Sequence, residues 1–389
     1  MTTPTGANTS MVKTKARKIA VVASLTFSLT NFRLQLLKRM IEAGHEVIAF
    51  APEHDMEVLR RLEEVGIPFV QIPMARAGLN PLADLYTLYF LWRQFRRLKP
   101  DTILPYTMKP VIYGCLAGRL AGIRQRFPLI TGLGYVFTEA KPTGRLAIVR
   151  RVSIWLYRLA LDGAKKVFVY NEADADEIRQ SRILRDPAVL TLIPGSGVDL
   201  DRYSRSDPPL RPLTFLLVAR LLRDKGIVEY VEAARQLRRA RPEIRVQLLG
   251  PFDPNPSGIS KADVDGWVAE GVVDYLGETL DVRPFLAQCT VFVLPSYREG
   301  MPRTILEAMA TGRAIITTDA PGCRDTIIDG DNGFLVPPRD YPSLTKAMES
   351  FALEPELAIR MGQRSHELAR ERFDVHAVNR KLLGAMELI

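Results

Sequence analysis

Two carboxylates and two cations stand where strands give way to helices in this chain of 389 residues. Glu299 and Glu307 lie eight positions apart across a helix start, in Glu299-Gly-Met-Pro-Arg-Thr-Ile-Leu-Glu307. Arg220 and Lys225 follow an apolar run at 213–219, and Gly226 comes directly after them. Such residues can be solvated surface charges. An acid just before a helix N-terminus has company, however. The free N–H groups around Gly300, Met301, Arg303 and Thr304 make a polar socket that can hold an anion beside hydroxyls. A cation at a helix start opposes the helix dipole, so Lys225 asks for a compensating anion. Two cations at the carboxyl end of a strand are what a departing diphosphate requires. A nucleotide sugar offers groups of both kinds: a diphosphate for the amides and cations, sugar and ribose hydroxyls for the acids.

Rigid elements must hold these groups in place. Val291–Leu294 is apolar without alternation, as a parallel strand covered on both faces reads. A helix is expected over Arg303–Ala310, with Pro302 at its first position; Ile305, Leu306 and Met309 share one side and Glu307 looks across another. Ala314–Thr318 is the next strand. In open parallel sheets ligands bind in the crevice beyond the strand carboxyl ends, so Glu299 is expected at its mouth. The N-terminal half opens with a strand at 18–23, a helix at 31–43 capped by Asn31, and a strand at 47–51. That βαβ opening lacks G-x-G-x-x-G, so no dinucleotide cofactor is expected. Further strands are expected at 101–105, 167–170, 190–193, 213–219, 246–250 and 273–277. Residues 201–212, rich in Pro, Asp and Arg, read as a linker, and 341–389 as helical. The class is α/β.

Composition narrows the partners. The length suits two domains, and 25% charged with 47% hydrophobic residues is a globular balance. The three cysteines have no paired spacing, which fits a reduced, cytoplasmic chain. Residues 1–200 hold 28 Lys and Arg against 17 Asp and Glu, whereas the rest holds 25 against 27. A basic N-terminal half suggests a meeting with something anionic. No nucleic-acid module appears, so an anionic membrane surface or a diphosphate-bearing lipid fits better. No apolar run is long enough to span a bilayer, and residues 1–17 read as a disordered leader. The helix expected at 80–99 carries Leu82, Leu85, Tyr86, Tyr89, Trp92 and Phe95 along one side, with Arg93, Arg96, Arg97 and Lys99 at its end. Two accounts stand: a core-facing helix whose cations suit its C-terminus, or a docking surface for anionic lipid. The segment 144–157, with Trp155 among arginines, is a second candidate for such docking. Four Asp-x-Asp pairs, at 174/176, 199/201, 263/265 and 329/331, read as chance spacing.

The run Glu299-Gly-Met-Pro…Glu307-Ala-Met-Ala-Thr-Gly, followed by Asp319-Ala-Pro-Gly-Cys and Asp331-Asn-Gly-Phe-Leu-Val-Pro-Pro, resembles the C-terminal domain of family 4 glycosyltransferases. Those are retaining enzymes of the GT-B fold, with a Glu-x7-Glu motif and two Rossmann-like domains facing across a cleft. The likeness runs from about residue 18 to the end. It implies an acceptor domain at 18–200, a linker at 201–212, a nucleotide-sugar domain at 213–370, and a final helix, 371–389, crossing back to the first domain. It also implies catalytic Arg220, Lys225 and Glu299, with Glu307 on the ribose. Gly300, Met301, Arg303 and Thr304 would meet the donor, and Leu280 the base. Relatives often place a histidine near the transferred sugar; His45, His54, His366 and His376 all lie elsewhere, which leaves Asn31, Lys109 and Thr131 as acceptor-side candidates. Ser28-Leu-Thr-Asn-Phe-Arg33 resembles the branch that works on polyprenyl-linked glycans. The implied reaction moves a hexose or N-acetylhexosamine from a nucleotide diphosphate sugar, a uridine one, to a lipid-linked glycan at the inner face of the cytoplasmic membrane. The cation pair makes a metal unnecessary, and no cofactor is expected. Rival readings are a sugar-nucleotide epimerase or hydrolase on the same architecture, and a non-catalytic nucleotide-sugar-binding subunit.

Overall fold

The computed structural model describes residues 15–75, 80–137, 143–255 and 257–389. The leader expected over 1–17 lies outside the described residues as far as residue 14.

The first half contributes β1 (Lys18–Val22), β2 (Glu46–Ala51), β3 (Phe69–Gln71), β4 (Thr102–Pro105), β5 (Gln125–Arg126), β6 (Leu129–Ile130), β7 (Val167–Val169) and β8 (Leu190–Leu192). The first five form a sheet in the order β3-β2-β1-β4-β5, and the other three a sheet β6-β7-β8. All neighbours run parallel, with Ala20 opposite both Ile48 and Ile103. The second half supplies β9 (Thr214–Val218), β10 (Arg245–Leu249), β11 (Asp274–Tyr275), β12 (Val291–Leu294), β13 (Ala314–Thr318) and β14 (Gly333–Val336), in the order β11-β10-β9-β12-β13-β14. β9 and β13 are buried along their whole length, because helices cover both faces of a parallel sheet and an unbroken apolar run suits that site. The expected two-domain α/β architecture is the one found.

Parallel strands need crossovers. In the first half these are α1 (Phe27–Asn31), α2 (Leu34–Glu42), α3 (Met56–Glu63), α4 (Pro81–Leu98), α5 (Cys115–Leu120), α6 (Gly144–Leu161) and α7 (Glu172–Gln180). In the second they are α8 (Ile227–Ala240), α9 (Lys261–Ala269), α10 (Arg283–Gln288), α11 (Arg303–Ala310), α12 (Tyr341–Leu353), α13 (Glu356–Arg372) and α14 (Val375–Ala385). Side chains of Asp55, Asn80, Asn171 and Asp374 each accept a backbone N–H at a helix start, the usual way of satisfying a first turn.

Details differ from expectation. The helix expected at 31–43 is two helices, and Asn31 ends the first instead of capping the second; Arg33, at φ −122° and ψ −4°, turns the chain between them. Pro302 stands just outside α11, extended at ψ 106°. On α4 the core face is Asp84, Thr87, Leu91 and Phe95. Leu82, Leu85, Tyr86 and Tyr89 are exposed, so the core-facing account fails for most of that apolar stripe.

α14 leaves the second half and packs against α2. It places Val378, Leu382 and Leu383 in one buried cluster with Leu36, Leu37 and Met40. Beside this crossing, the Val198 N–H donates to the Phe373 carbonyl (2.7 Å) and the Val375 N–H to the Val198 carbonyl (3.0 Å).

Candidate active site

In the two larger sheets the strand order reverses between two adjacent strands, β1 and β4 in one, β9 and β12 in the other. The chain leaves such a pair in opposite directions, which opens a crevice between the departing loops. The loop after β9 carries Arg220 and Lys225, and the loop after β12 carries Glu299. They are zipped together: Tyr297 N–H and Ser296 Oγ–H both donate to the Asp224 carbonyl, at 2.9 and 3.0 Å. A Cβ on Gly226 would stand 2.1 Å from the Pro295 carbonyl oxygen, and the φ of +70° there also suits glycine. This approach sets Lys225 Nζ at 2.5 Å from Glu299 Oε1, with both side chains largely shielded from solvent.

The first domain closes the other side. Thr131, Gly132, Leu133 and Gly134, which follow β6, line a cavity of about 320 Å³ with Arg220, Lys225, Arg298, Glu299 and Gly300. Asn171 Nδ2 donates to the Gly300 carbonyl at 2.6 Å across the boundary. Arg298 donates to the Phe137 carbonyl at 3.2 Å and pairs with Asp174, whose side chain is fully buried. Burial raises the Asp174 carboxyl above the usual carboxylate range, and the Arg298 charge offsets only part of that. Arg220 is paired with Asp253 at 2.6 Å and stays half-exposed.

Arg220, Asn255 and Thr131 also line a second cavity, of about 1290 Å³, so the two adjoin. Its first-domain wall includes Ser28, Arg33, Tyr106, Thr107 and Lys109, and its second-domain wall Met301 and Arg303. Lys109 pairs with Asp84 at 2.9 Å. Arg303 pairs with Glu307 at 2.8 Å, donates to Ser196 Oγ at 3.1 Å, and lies 4.8 Å from the centre of the Phe32 ring.

Of the residues singled out in the sequence, Arg220, Lys225, Glu299, Gly300 and Thr131 meet around the smaller cavity. Lys109, Met301 and Arg303 reach the larger one. The remaining four line neither. Glu307 has a side chain only 5% exposed and is held by Arg303 beneath the α11 start. Thr304 and Asn31 are half-buried, and Leu280 is 79% exposed. Sequence reasoning missed Asn171, Asp174 and Arg298, and met Arg33 only as the end of the Ser28–Arg33 run. Arg298 adjoins Glu299, which was a signal; Asp174 was set aside as half of a chance Asp-x-Asp pair.

Comparison with known proteins follows the same two halves. The family description "Glycosyl transferase 4-like domain" matches residues 30–196, and "Glycosyl transferases group 1" matches residues 212–353. The N,N'-diacetylbacillosaminyl-diphospho-undecaprenol alpha-1,3-N-acetylgalactosaminyltransferase of Campylobacter jejuni is 27% identical over 380 residues, covering 94% of this chain and 97% of that protein. The UDP-Gal:alpha-D-GlcNAc-diphosphoundecaprenol alpha-1,3-galactosyltransferase of Escherichia coli is 26% identical over 290 residues, 71% of this chain and 73% of its own. Among solved structures, a sucrose-phosphate synthase from Thermosynechococcus elongatus superposes with a TM-score of 0.76 at 20% identity, over 94% of this chain and 97% of its own. Anabaena Alr3699/HepE in complex with UDP gives 0.74 at 16% identity, over 96% and 100%.

Proposed function

This chain belongs to the group 1 glycosyltransferases, with the two-domain GT-B fold, and from that premise we propose what it transfers and to what. The donor is a nucleotide diphosphate sugar, a uridine one, carrying a hexose or N-acetylhexosamine. The acceptor is a glycan on a polyprenyl diphosphate, and the work is done at an anionic membrane face. The relatives whose names specify a diphospho-undecaprenol substrate support the acceptor class. Exposed apolar residues on α4 and α6, among them Leu82 and Trp155, beside the exposed Arg93, Arg96 and Arg151, support the membrane.

The observation that carries this reading is the Lys225–Glu299 pair at the mouth of the smaller cavity. The donor's diphosphate lies against Lys225 and Arg220, and its sugar hydroxyls replace the lysine as partners of Glu299. Glu307 takes the ribose once Arg303 turns away from it. The bond from the anomeric carbon to the β-phosphate oxygen breaks as the acceptor hydroxyl oxygen bonds to that carbon from the same face. The hydroxyl proton passes to the departing phosphate, and because the attack comes from the leaving group's own face, configuration is retained. Fixed cations beside the leaving oxygens lower the barrier because they need no reorganisation when charge develops.

Lys225→Ala is expected to cost on the order of 3 kcal/mol, about a hundredfold in turnover, with the fold intact. The assay offers a panel of radiolabelled nucleotide sugars with lipid-linked acceptors and counts label in the organic phase. Full activity in the variant removes the leaving-group role. Free sugar released without an acceptor product would favour a hydrolase.

A further inference from the structure

The larger cavity holds a cation with no counter-ion. Arg33 turns the chain between α1 and α2 and is only 4% exposed, yet it lines the cavity. One terminal nitrogen donates to the Tyr170 hydroxyl, and the guanidinium lies 5.1 Å from the centre of the Tyr106 ring. Among the described residues its Nε has no hydrogen-bond partner. Of the neighbouring cations, Arg145 is exposed to solvent, and Lys109, Arg220 and Arg303 each have a carboxylate at 2.6–2.9 Å. Among the described residues Arg33 has none. Tyr106 does not supply the charge either: burial pushes its hydroxyl up to about 12, and it shares a 2.7 Å hydrogen bond with Ser28. Withdrawing a guanidinium from water without an opposite charge is costly, and a ligand anion would offset that cost. α2 adds to the same demand. It begins directly after Arg33 with no side-chain cap and no acid in its first turn, so its positive end is uncompensated.

Apolar side chains share this wall: Met108, Val136, Leu146 and Val149. An anion site beside an apolar wall is the chemistry of a lipid diphosphate. We propose that Arg33 and the start of α2 hold the diphosphate of a prenyl-diphosphate acceptor, with its first isoprene units against Met108, Val136, Leu146 and Val149. This rests on the lipid-linked acceptor read above. It adds the residue that grips the acceptor's charged group, on the opposite domain from the cations given to the donor.

The test titrates the full chain calorimetrically with farnesyl diphosphate, with farnesol, and with UDP as the donor-side probe. Wild type is expected to bind farnesyl diphosphate about thirtyfold more tightly than farnesol. In Arg33→Met that preference disappears, while UDP affinity is unchanged and the melting temperature stays within about 2 °C of wild type. Farnesyl diphosphate bound equally by variant and wild type overturns the assignment and leaves the acceptor reading standing. Wild type that does not distinguish farnesyl diphosphate from farnesol sinks the acceptor reading itself. Lost UDP affinity in Arg33→Met would place the guanidinium on the donor's diphosphate, and overturns the proposal too. Should Arg33→Met not fold, Arg33→Lys reads the same comparison. There about a tenfold fall in farnesyl diphosphate affinity supports the site, since the planar fork is lost, and an unchanged affinity overturns it.

Discussion

At Gly300 a Cβ would stand 1.8 Å from the Thr131 carbonyl oxygen and 3.0 Å from the Gly132 nitrogen. The loop bearing Glu299 therefore reaches the first domain only because this position has no side chain. Gly300→Ala should leave both cores intact, since no strand contains the residue, but hold the domains apart. Misplacing a reacting group by about 1 Å costs on the order of a hundredfold in rate, and turnover in this variant is expected to fall by that much. A larger radius of gyration in small-angle scattering should accompany the loss, and wild-type turnover would show that the contact is dispensable. At this scale the sequence was legible wherever turn chemistry marks a position. Glu299 before a helix start and Lys225 before Gly226 are such positions, and the structure does bring them together. Arg33 and Asp174 were not legible, because what distinguishes them is burial and partnership across the chain. Arg33 is buried with no carboxylate beside it among the described residues, and Asp174 meets Arg298 from the other domain.

α4 and α6 show what periodicity leaves open. A 3.6-residue repeat identifies a face without saying what that face meets. On α4 the buried line runs Asp84, Thr87, Leu91 and Phe95, so the larger apolar side chains one step around the helix point outward. α6 repeats the pattern, with Ile148 63%, Val152 48% and Trp155 57% exposed, and α5 packs against both helices. Solvent-facing Leu, Tyr and Trp beside arginines suit an interfacial surface, apolar groups among the acyl chains and cations on anionic headgroups. The double variant Leu82→Asp/Trp155→Asp is expected to lose cosedimentation with phosphatidylglycerol vesicles, because each buried side chain is worth roughly 1.5–3 kcal/mol. Wild-type binding should weaken with added salt. Binding indifferent to both changes would assign these residues some other partner.

Over the whole molecule, the alternation of apolar runs and helical stretches was enough to give parallel sheets in each half, since the longer strands could be read one by one; the short β3, β5 and β6 and the edge strand β14 were not expected. The path of the chain between them depends on α14, whose docking against α2 is a contact between opposite ends of the sequence. Leu382 is 1% exposed in a cluster it shares with Leu36 and Leu37. Leu382→Ala is expected to cost about 2–5 kcal/mol and lower the first domain's melting temperature by roughly 4–20 °C, read by scanning calorimetry. An unchanged transition would mean the helix is not docked in solution. The backbone passes between the halves twice, and the two passages are stitched to each other at Val198, Phe373 and Val375. A Cβ on Gly197 would stand 2.7 Å from the Val375 Cα, so the stitch is tight. Two tethers fastened side by side leave little room for sliding or drifting apart, and essentially one rotational freedom, like pages about a spine. Opening the crevice then means undoing Asn171–Gly300, the contacts of Arg298 with Asp174 and Phe137, and those of Arg303 with Ser196 and Phe32, after which both substrates come and go through the same parted edge.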